Sequence, residues 1–558
     1  MTLVAHSEIH ITMKKINIIF IFLFIVSSSF AQDAKREIFI NKKYLNLPVE
    51  SSQERQKMIL SPKGSDTREF IIRLSKGVPD YWVFTDVSSF IGKNLLITFP
   101  EYVKGLDDIY QSDEIAGADS LYKELNRPQF HFTTRCGWIN DPNGLVYYDG
   151  EYHLFYQLNP YEINWENMHW GHAVSKDLVH WEELPVALYP DDLGTMFSGS
   201  AVLDVNNTSG FKTGEETTIV AAYTAMVPEK QVQCIAYSND KGKTFTKFDG
   251  NPVIDSKEKW NSVNTRDPKV FWHEKSGKWV MVLFEKVGIS IYNSDDLKKW
   301  DYQSHINGFW ECPELFELPV DKNESVKKWV LYSASGTYMI GNFDGKKFTT
   351  ETDKLCYFRG KMFAAQTYNK IPESDGRRIQ IGWGRINHPG MSFNQMMTFP
   401  TELSLRSTRE GIRLFSEPVR EIEKLYKASY QWNNLSPAEA NENLKNIKGK
   451  LFHIKMTFEH LEGDKIKFIY NGNEIFNYNI SQNTLNGEFY GGMNIEKLTF
   501  DFELLIDKTS VEIFVDNGRF TIIDELPASK DNSGFTFDSG KSQIHISKLE
   551  INELQSIW

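Results

Sequence analysis

From Arg36 to Leu125 apolar residues come in short alternating runs, REFIIRLSKG (68–77) and NLLITFPEYV (94–103), separated by turns rich in Gly and Asp. Period-two alternation bounded by turn residues reads as strands. Residues 32–125 are therefore expected to form a small, mostly β module, with the more polar YQSDEIAGADSLYKEL (110–125) as one short helix. From about 126 a longer unit recurs. An apolar run is followed by a small or polar residue, a charged turn and an aromatic: HAVSKDLVHW, IAYSNDKGKTF, SIYNSDDLKKW and MIGNFDGKKF, ending at Trp181, Phe245, Trp300 and Phe348. Each copy carries an apolar strand ahead of it: YHLFYQL, TTIVAAYTA, KWVMVLF and KWVLYSA. A fifth copy is read from Arg378 to Phe415. A hairpin that cannot bury its face alone, repeated at this spacing, predicts a propeller. A many-hairpin β-sandwich is the alternative, but a sandwich has no reason to repeat the same turn and aromatic. The expected fold is thus all-β, with a five-bladed β-propeller over 126–425.

After Glu421 the pattern changes. YKASYQWNNLSPAEANENLKNIKG (426–449) reads as a linker with a short helix, and LFHIKMTFEH, KIKFIYNG, LTFDFELLIDK, SVEIFVDNGRFTII and QIHISKLEI then alternate as a two-sheet sandwich does. Residues 426–558 are accordingly a linker and a β-sandwich. At the other end, Lys14 and Lys15 precede INIIFIFLFIVSSSF and Ala31, the layout of a secretory signal peptide over 1–31, with Met13 as the expected start. The chain is then periplasmic or secreted.

Composition narrows the function. Aromatic residues make up 14% of the chain, which suits sheets and sites that stack on rings. The formal charge is -12 and there is no basic block, which excludes a nucleic-acid binder, and no segment beyond the signal asks for stable membrane insertion. Four cysteines (136, 234, 312 and 356) form no CxxC pair, and GxGxxG, GxxxxGK[ST] and HExxH are missing, so neither cofactor nor metal is expected. His169 and His172 have metal-like spacing but sit in a strand with no third ligand, and are read as structural hydrogen-bonders.

Three acids stand out. Asp141 lies in WINDPNG, Asp267 in NTRDPKV after Arg266, and Glu311 in FWECPEL. Asp-Pro and Asn-Gly are turn signals in any protein, so a plain hairpin explains the first motif equally well. Yet the three fall on different blades, and propeller strands converge on an axis. Two carboxylates meeting in a tight cavity suit acid/base or nucleophilic work on a glycosidic bond.

WINDPNG (138–144), RDP (266–268) and ECPE (311–314), in this order, resemble the signature blocks of glycoside hydrolase family 32, the invertases, inulinases and levanases. HLFYQLNP (153–160), NMHWGHAVSKDLVHWEELPVAL (167–188) and FSGSAV (197–202) are similar to further blocks of that family. Residues 36–125 resemble an extra module found in Bacteroidetes-type members. The resemblance implies a five-bladed propeller with a C-terminal sandwich, and a retaining hydrolase acting on terminal β-fructofuranosyl units of a fructan partner. It implies Asp141 as nucleophile, Glu311 as acid/base and Asp267 as the acid that binds fructose hydroxyls. Asn140, Gln157, Trp165, Phe197, Ser198 and Trp383 would line the sugar pocket. Arg266 would hold the acids in register and contact substrate, or serve only as a salt bridge. Asn140 and turn amides are expected to keep Asp141 ionised, while Trp310, other aromatics and Asp141 are expected to keep Glu311 protonated. Cys312 reads as packing. Thr401 stands before Glu402 where relatives often carry arginine, which implies a weakened local ion pair. Endo action, and a non-catalytic fructan-binding propeller, are the alternatives.

Overall fold

The computed structural model describes residues 33–558 except 463–464, 480–481, 483, 490–498 and 529–532; the expected signal peptide lies outside the described residues. Residues 34–112 build two small sheets. One has four strands (Ala34–Phe39, Asn94–Phe99, Gln56–Pro62, Arg68–Ile72) and the other three (Tyr81–Asp86, Tyr44–Val49, Tyr110–Ser112). The helix expected over 110–125 is not there. Tyr110–Ser112 is a strand and Ala118–Ser120 a single 3-10 turn, and the module's helix lies earlier, at Lys104–Asp108. Gly117, in the left-handed region at φ 79°, interrupts the polar run.

Five four-stranded antiparallel units follow, one per repeat. They open at Gly137–Tyr148, Thr195–Asp204, Thr265–His273, Glu314–Val320 and Met362–Thr367, here blades 1 to 5. Blade 5 begins one strand earlier than the expected Arg378. Its innermost strand, Met362–Thr367, precedes Arg378–Gly384 and lacks the long apolar run that marks the others. The recurring turn has a physical cause. It joins the third and fourth strands, and an aspartate caps it: Asp177 accepts from the Val179 and His180 amides, Asp296 from Lys298 and Lys299, and Asp344 from Lys346 and Lys347. The aromatic after each turn opens or directly precedes the fourth strand.

Among the described residues the C-terminal unit is a sandwich of two sheets around one apolar core, one of five strands and one of six that a seventh strand, Phe358–Gly360 of the propeller, extends at its edge. The linker expected over 426–449 is instead mostly structure. Tyr426–Leu435 is an edge strand paired with Gln543–Leu554, its residues alternating between partly buried and exposed, and only then does the helix Pro437–Leu444 start, closed by a Ser436/Glu439 capping box. The run YKASYQW does alternate, but its outward residues are polar enough to resemble a linker.

The sandwich is fastened to the propeller by a buried ionic clasp. His131 Nδ1 lies 2.8 Å from Asp507 Oδ2 and its Nε2 3.2 Å from Glu512 Oε1, all three side chains being fully enclosed. Asp507 also accepts from the Gln129 and Phe130 amides. Burial alone would lower the His131 pKa, but the two carboxylates outweigh it and raise it to about 9, while the imidazole helps hold Asp507 below its usual value. Because His131 is raised above its unfolded value near 6.5, its stabilisation is complete below that pH and is lost as pH climbs through about 9. His131→Gln is therefore expected to lower stability by about 3 kcal/mol at pH 6. The gap between the two unfolding midpoints should narrow steadily from pH 6.5 to 10, and thermal melts across that range check it.

Candidate active site

The innermost strands do not run straight. Pairing shifts register at Ile139/Pro142 in blade 1, Met196/Gly199 in blade 2, Arg266/Lys269 in blade 3 and Phe363/Gln366 in blade 5. WINDPNG is thus not a hairpin turn. It is the interior of the twelve-residue strand Gly137–Tyr148, twice bulged, with Gly144 at φ 56°. A bulge re-aims the side chains it carries. Those carried here are Asp141, Phe197 with Ser198, and Asp267, the last at φ 66°. Blade 4 supplies Glu311 and Cys312 just before its first strand, with Cys312 at φ 50°.

The amides freed by these irregularities are taken up by the preceding blade. Gly199 N–H donates to Asn143 Oδ1 (3.3 Å), Asp267 N–H to Thr224 Oγ1 (3.0 Å) and Cys312 N–H to Asp267 Oδ2 (3.0 Å). Ala364 N–H donates to the Ala334 carbonyl (2.9 Å) and Leu145 N–H to Gln366 Oε1 (3.3 Å). These five bonds link blades 1–2, 2–3, 3–4, 4–5 and 5–1, and so close the ring.

Inside the ring three carboxylates meet. Ser198 Oγ donates to Asp141 Oδ2 at 2.7 Å and Asn140 Nδ2 to Asp141 Oδ1 at 3.2 Å. Cys312 Sγ is 3.5 Å from both Asp141 Oδ2 and Asp267 Oδ2. Arg266 grips Glu311 Oε2 through Nε (3.1 Å) and Nη2 (2.6 Å), with Asp267 Oδ2 3.7 Å from its Nε. Burial pushes the Asp141 carboxyl up and Glu311 adds to it, while Ser198 and Asn140 pull it back. Burial likewise raises Asp267 to about 7, against the opposing pull of Arg266 and with further push from Asp141 and Glu311. The surroundings expected of Glu311 differ from those found. Trp310 is 48% exposed and packs on Phe284, and the close neighbour of the carboxylate is the Arg266 guanidinium.

The residues expected to line the pocket are distributed around this cluster. Asn140 is buried and accepts from Trp138 Nε1 at 3.0 Å. Trp138 meets Trp383 edge to face at 6.0 Å, and Trp383 Nε1 donates to Gln395 Oε1 at 3.1 Å. Gln157 is buried on the second strand of blade 1 with its Nε2 unpartnered. Trp165 stands 45% exposed, edge to face with Phe197 at 5.9 Å. His169 and His172 lie elsewhere. His169 Nδ1 bonds to the Asn167 carbonyl, His172 Nε2 pairs with His153 Nδ1 at 3.0 Å, and burial lowers both pKa values. Thr401 joins a neutral buried network with Gln380 and Ser416 in place of an ion pair. Sequence reasoning missed the central place of Cys312, since no spacing rule marks a lone thiol as the junction of two acids.

Family models for the N-terminal and C-terminal domains of glycosyl hydrolases family 32 match residues 131–418 and 421–553. The chain belongs to this family. It is a glycoside hydrolase, and the five-bladed propeller with its sandwich is the family-32 architecture. A levanase of Bacillus subtilis is 40% identical over 493 residues, covering 79% of this chain and 72% of its own. An extracellular exo-inulinase of Aspergillus niger is 32% identical, covering 78% and 96%. Among solved structures, the exo-inulinase of Aspergillus awamori superposes with a TM-score of 0.69 at 29% identity, over 78% of this chain and 100% of that one. The β-fructofuranosidase of Schwanniomyces occidentalis complexed with fructosyl-erythritol gives 0.68 at 27%, over 78% and 98%.

The N-terminal module reaches this site through one loop. Residues 160–167 join the second and third strands of blade 1 and carry Trp165. Asn167 acts as a false strand neighbour for the edge strand Arg68–Ile72. Its Oδ1 accepts from Ile71 N–H and its Nδ2 donates to the Ile71 carbonyl, both at 2.8 Å. Tyr161 stacks on Phe70 at 3.7 Å, and buried Glu162 pairs with Arg73. Asn167→Ala removes both amide bonds, about 2 kcal/mol together. Amides of 160–167 should then exchange roughly 30-fold faster with solvent, measured by hydrogen–deuterium exchange mass spectrometry.

Proposed function

We propose that the protein is a secreted or periplasmic, retaining, exo-acting fructan hydrolase that releases terminal β-D-fructofuranosyl units from levan and inulin, and from sucrose. The observation that carries this reading is the meeting of Asp141, Asp267 and Glu311 around Cys312 and Arg266 inside a family-32 propeller. The similar proteins named as a levanase and an extracellular exo-inulinase support the substrate class and the location. No described helix is long and apolar enough to cross a membrane.

In this mechanism Asp141 attacks C2 of the terminal fructosyl unit while Glu311 protonates the departing oxygen. Water, deprotonated by Glu311, then hydrolyses the fructosyl-enzyme. Asp267 binds ring hydroxyls whose hydrogen bonds strengthen as positive charge develops. Three carboxylates facing one guanidinium cannot all be ionised cheaply, and the proton the reaction needs can be held at Asp267, which burial raises to about 7. Arg266 makes that proton transferable. When Glu311 takes it up, the guanidinium leans on Asp267, already within 3.7 Å. Arg266 thereby holds the acids in register, and Asn140, Gln157, Trp165, Phe197, Ser198 and Trp383 form the sugar's walls.

Asp141→Ala is expected to cut kcat on sucrose, inulin and levan by about 10⁵-fold with the fold intact; normal turnover would refute the nucleophile. Glu311→Ala should retain activity only on fructosides with very good leaving groups. Product chromatography on levan and inulin should show fructose alone from the first time point, whereas a ladder of oligomers would mean endo cleavage. Asp141 must be ionised to attack, and its raised pKa sets the acid limb of the rate profile. Ser198→Ala deletes its shortest donor, so that limb should move upward by about one pH unit, read from kcat/KM between pH 3 and 8.

A further inference from the structure

A second cavity of about 230 Å³ lies where the N-terminal module meets blade 1. Its floor is Tyr156, Arg135 and Gly171, its walls include Tyr44, Phe84 and Tyr189, and Lys43 and Glu182 stand exposed at its mouth. Tyr156 and Gln157 are consecutive residues of one strand and so face opposite sides of it. The cavity's lining shares no residue with the catalytic cluster.

Three features distinguish it from a packing defect. The Tyr156 hydroxyl is fully buried in the cavity floor and makes no hydrogen bond, and Arg135 Nε beside it reaches only the Glu183 carboxylate, 3.5 Å away. Buried donors and acceptors are seldom left unpaired, and each one that is needs a partner. Gly171 creates the room for the tyrosine: a Cβ there would stand 2.2 Å from the Tyr156 ring. The remaining charged groups are of both signs, Lys43 and Arg135 against Asp86, Glu182 and Glu183, a small net negative charge. Glu183 is held in place by the Thr134 hydroxyl (3.0 Å) and the Arg135 amide (2.8 Å).

Ring faces, fixed hydrogen-bonding groups of both kinds and little net charge suit a neutral, hydroxyl-rich ligand. The cavity exceeds the ~150 Å³ that admits benzene and falls short of the ~300 Å³ at which drug-sized pockets begin, which sizes the occupant to one sugar ring. We propose that this cavity is a second, non-catalytic saccharide site, which takes a fructose or a single terminal fructosyl unit. The choice of fructose rests on the fructan reading above; the site itself rests on the cavity.

The test uses the full chain carrying Asp141→Ala, so that sugar is bound and not turned over. Fructose and sucrose are titrated by calorimetry, and crystals are soaked with each. Two sugars per chain are expected, one at the axis and one against Tyr156. Free fructose there marks product binding, and sucrose there marks capture of a fructosyl terminus. Tyr156→Phe in the same background deletes an unpartnered hydroxyl, so the melting temperature should hold or rise. Affinity at the second site should nevertheless fall about tenfold, with the axial site unchanged, a combination that a structural role for the hydroxyl does not produce. One sugar per chain, with only water against Tyr156, overturns the proposal. Levan hydrolysis by the unsubstituted protein is assayed in parallel; its absence would strike the catalytic reading and leave the second-site titration to stand or fall by itself.

Discussion

Everything at the centre of this molecule depends on the inner strands breaking their ladders at a common level. A bulge costs hydrogen bonds and backbone strain, and two of the residues involved, Asp267 and Cys312, hold a left-handed φ that non-glycine side chains adopt at a cost of order 1–3 kcal/mol. Each blade's freed amide is paired only by its neighbour, so no blade can adopt its inner conformation alone. The bonds from Asn143 to Gly199, Thr224 to Asp267 and Gln366 to Leu145 are at once the closure of the propeller and the scaffold of the acids. Asp267 serves both purposes, since its carboxylate accepts the Cys312 amide across the blade boundary. The acids are thus fixed by the same contacts that close the fold, which is the preorganisation the proposed electrostatic site requires.

The three sheet assemblies are joined by different chemistry, with different consequences. The sandwich is held by the His131 clasp, whose strength depends on protonation, beside an apolar cluster that Leu505, Phe514 and Leu554 share with the propeller. The N-terminal module is held by apolar stacking, an amide pair and a buried Arg73–Glu162 bridge at one loop. The module's own core includes Cys136 and Tyr161 of the propeller, so its apolar interior is completed by blade 1 and the two cannot part without exposing it. The same contacts tie down the loop bearing Trp165.

Much of this was readable in the residues, for identifiable reasons. Most blades announce themselves because an Asp-capped turn recurs where the third strand hands over to the fourth, and Asp177, Asp296 and Asp344 mark it. Period-two alternation marked the sandwich strands of 452–554. It failed at Tyr426–Leu435, an edge strand whose outward face is polar, and at 110–125, where polarity was mistaken for an exposed helix. The bulges were illegible. Asp-Pro-Asn-Gly specifies a chain reversal locally, and only pairing with Glu151–Asn159 turns it into a strand interior. The three acids were legible as candidates, and so were Asn140 and Arg266 as partners, but the immediate neighbour of Glu311 was not. Trp310 is adjacent to Glu311 in sequence and turns away, whereas Arg266, 45 residues earlier, sits against it.

That exchange of neighbours alters how the acid must work. An apolar wall would keep a carboxylic acid protonated by withholding water, and would do so at any stage of the reaction. A guanidinium favours the ionised form, so the proton has to come from competition among the three carboxylates for one cation. Arg266 lies within reach of two of them, and Asp267 is raised to about 7 with burial as the larger cause. In the mechanism proposed above, Arg266 is the group that can shift between Glu311 and Asp267. The proposed double displacement needs such a movable counter-charge, because the same residue has to donate in its first half and accept in its second. The two states then differ by the leaning of an arginine between Glu311 and Asp267, with no burial or exposure of charge.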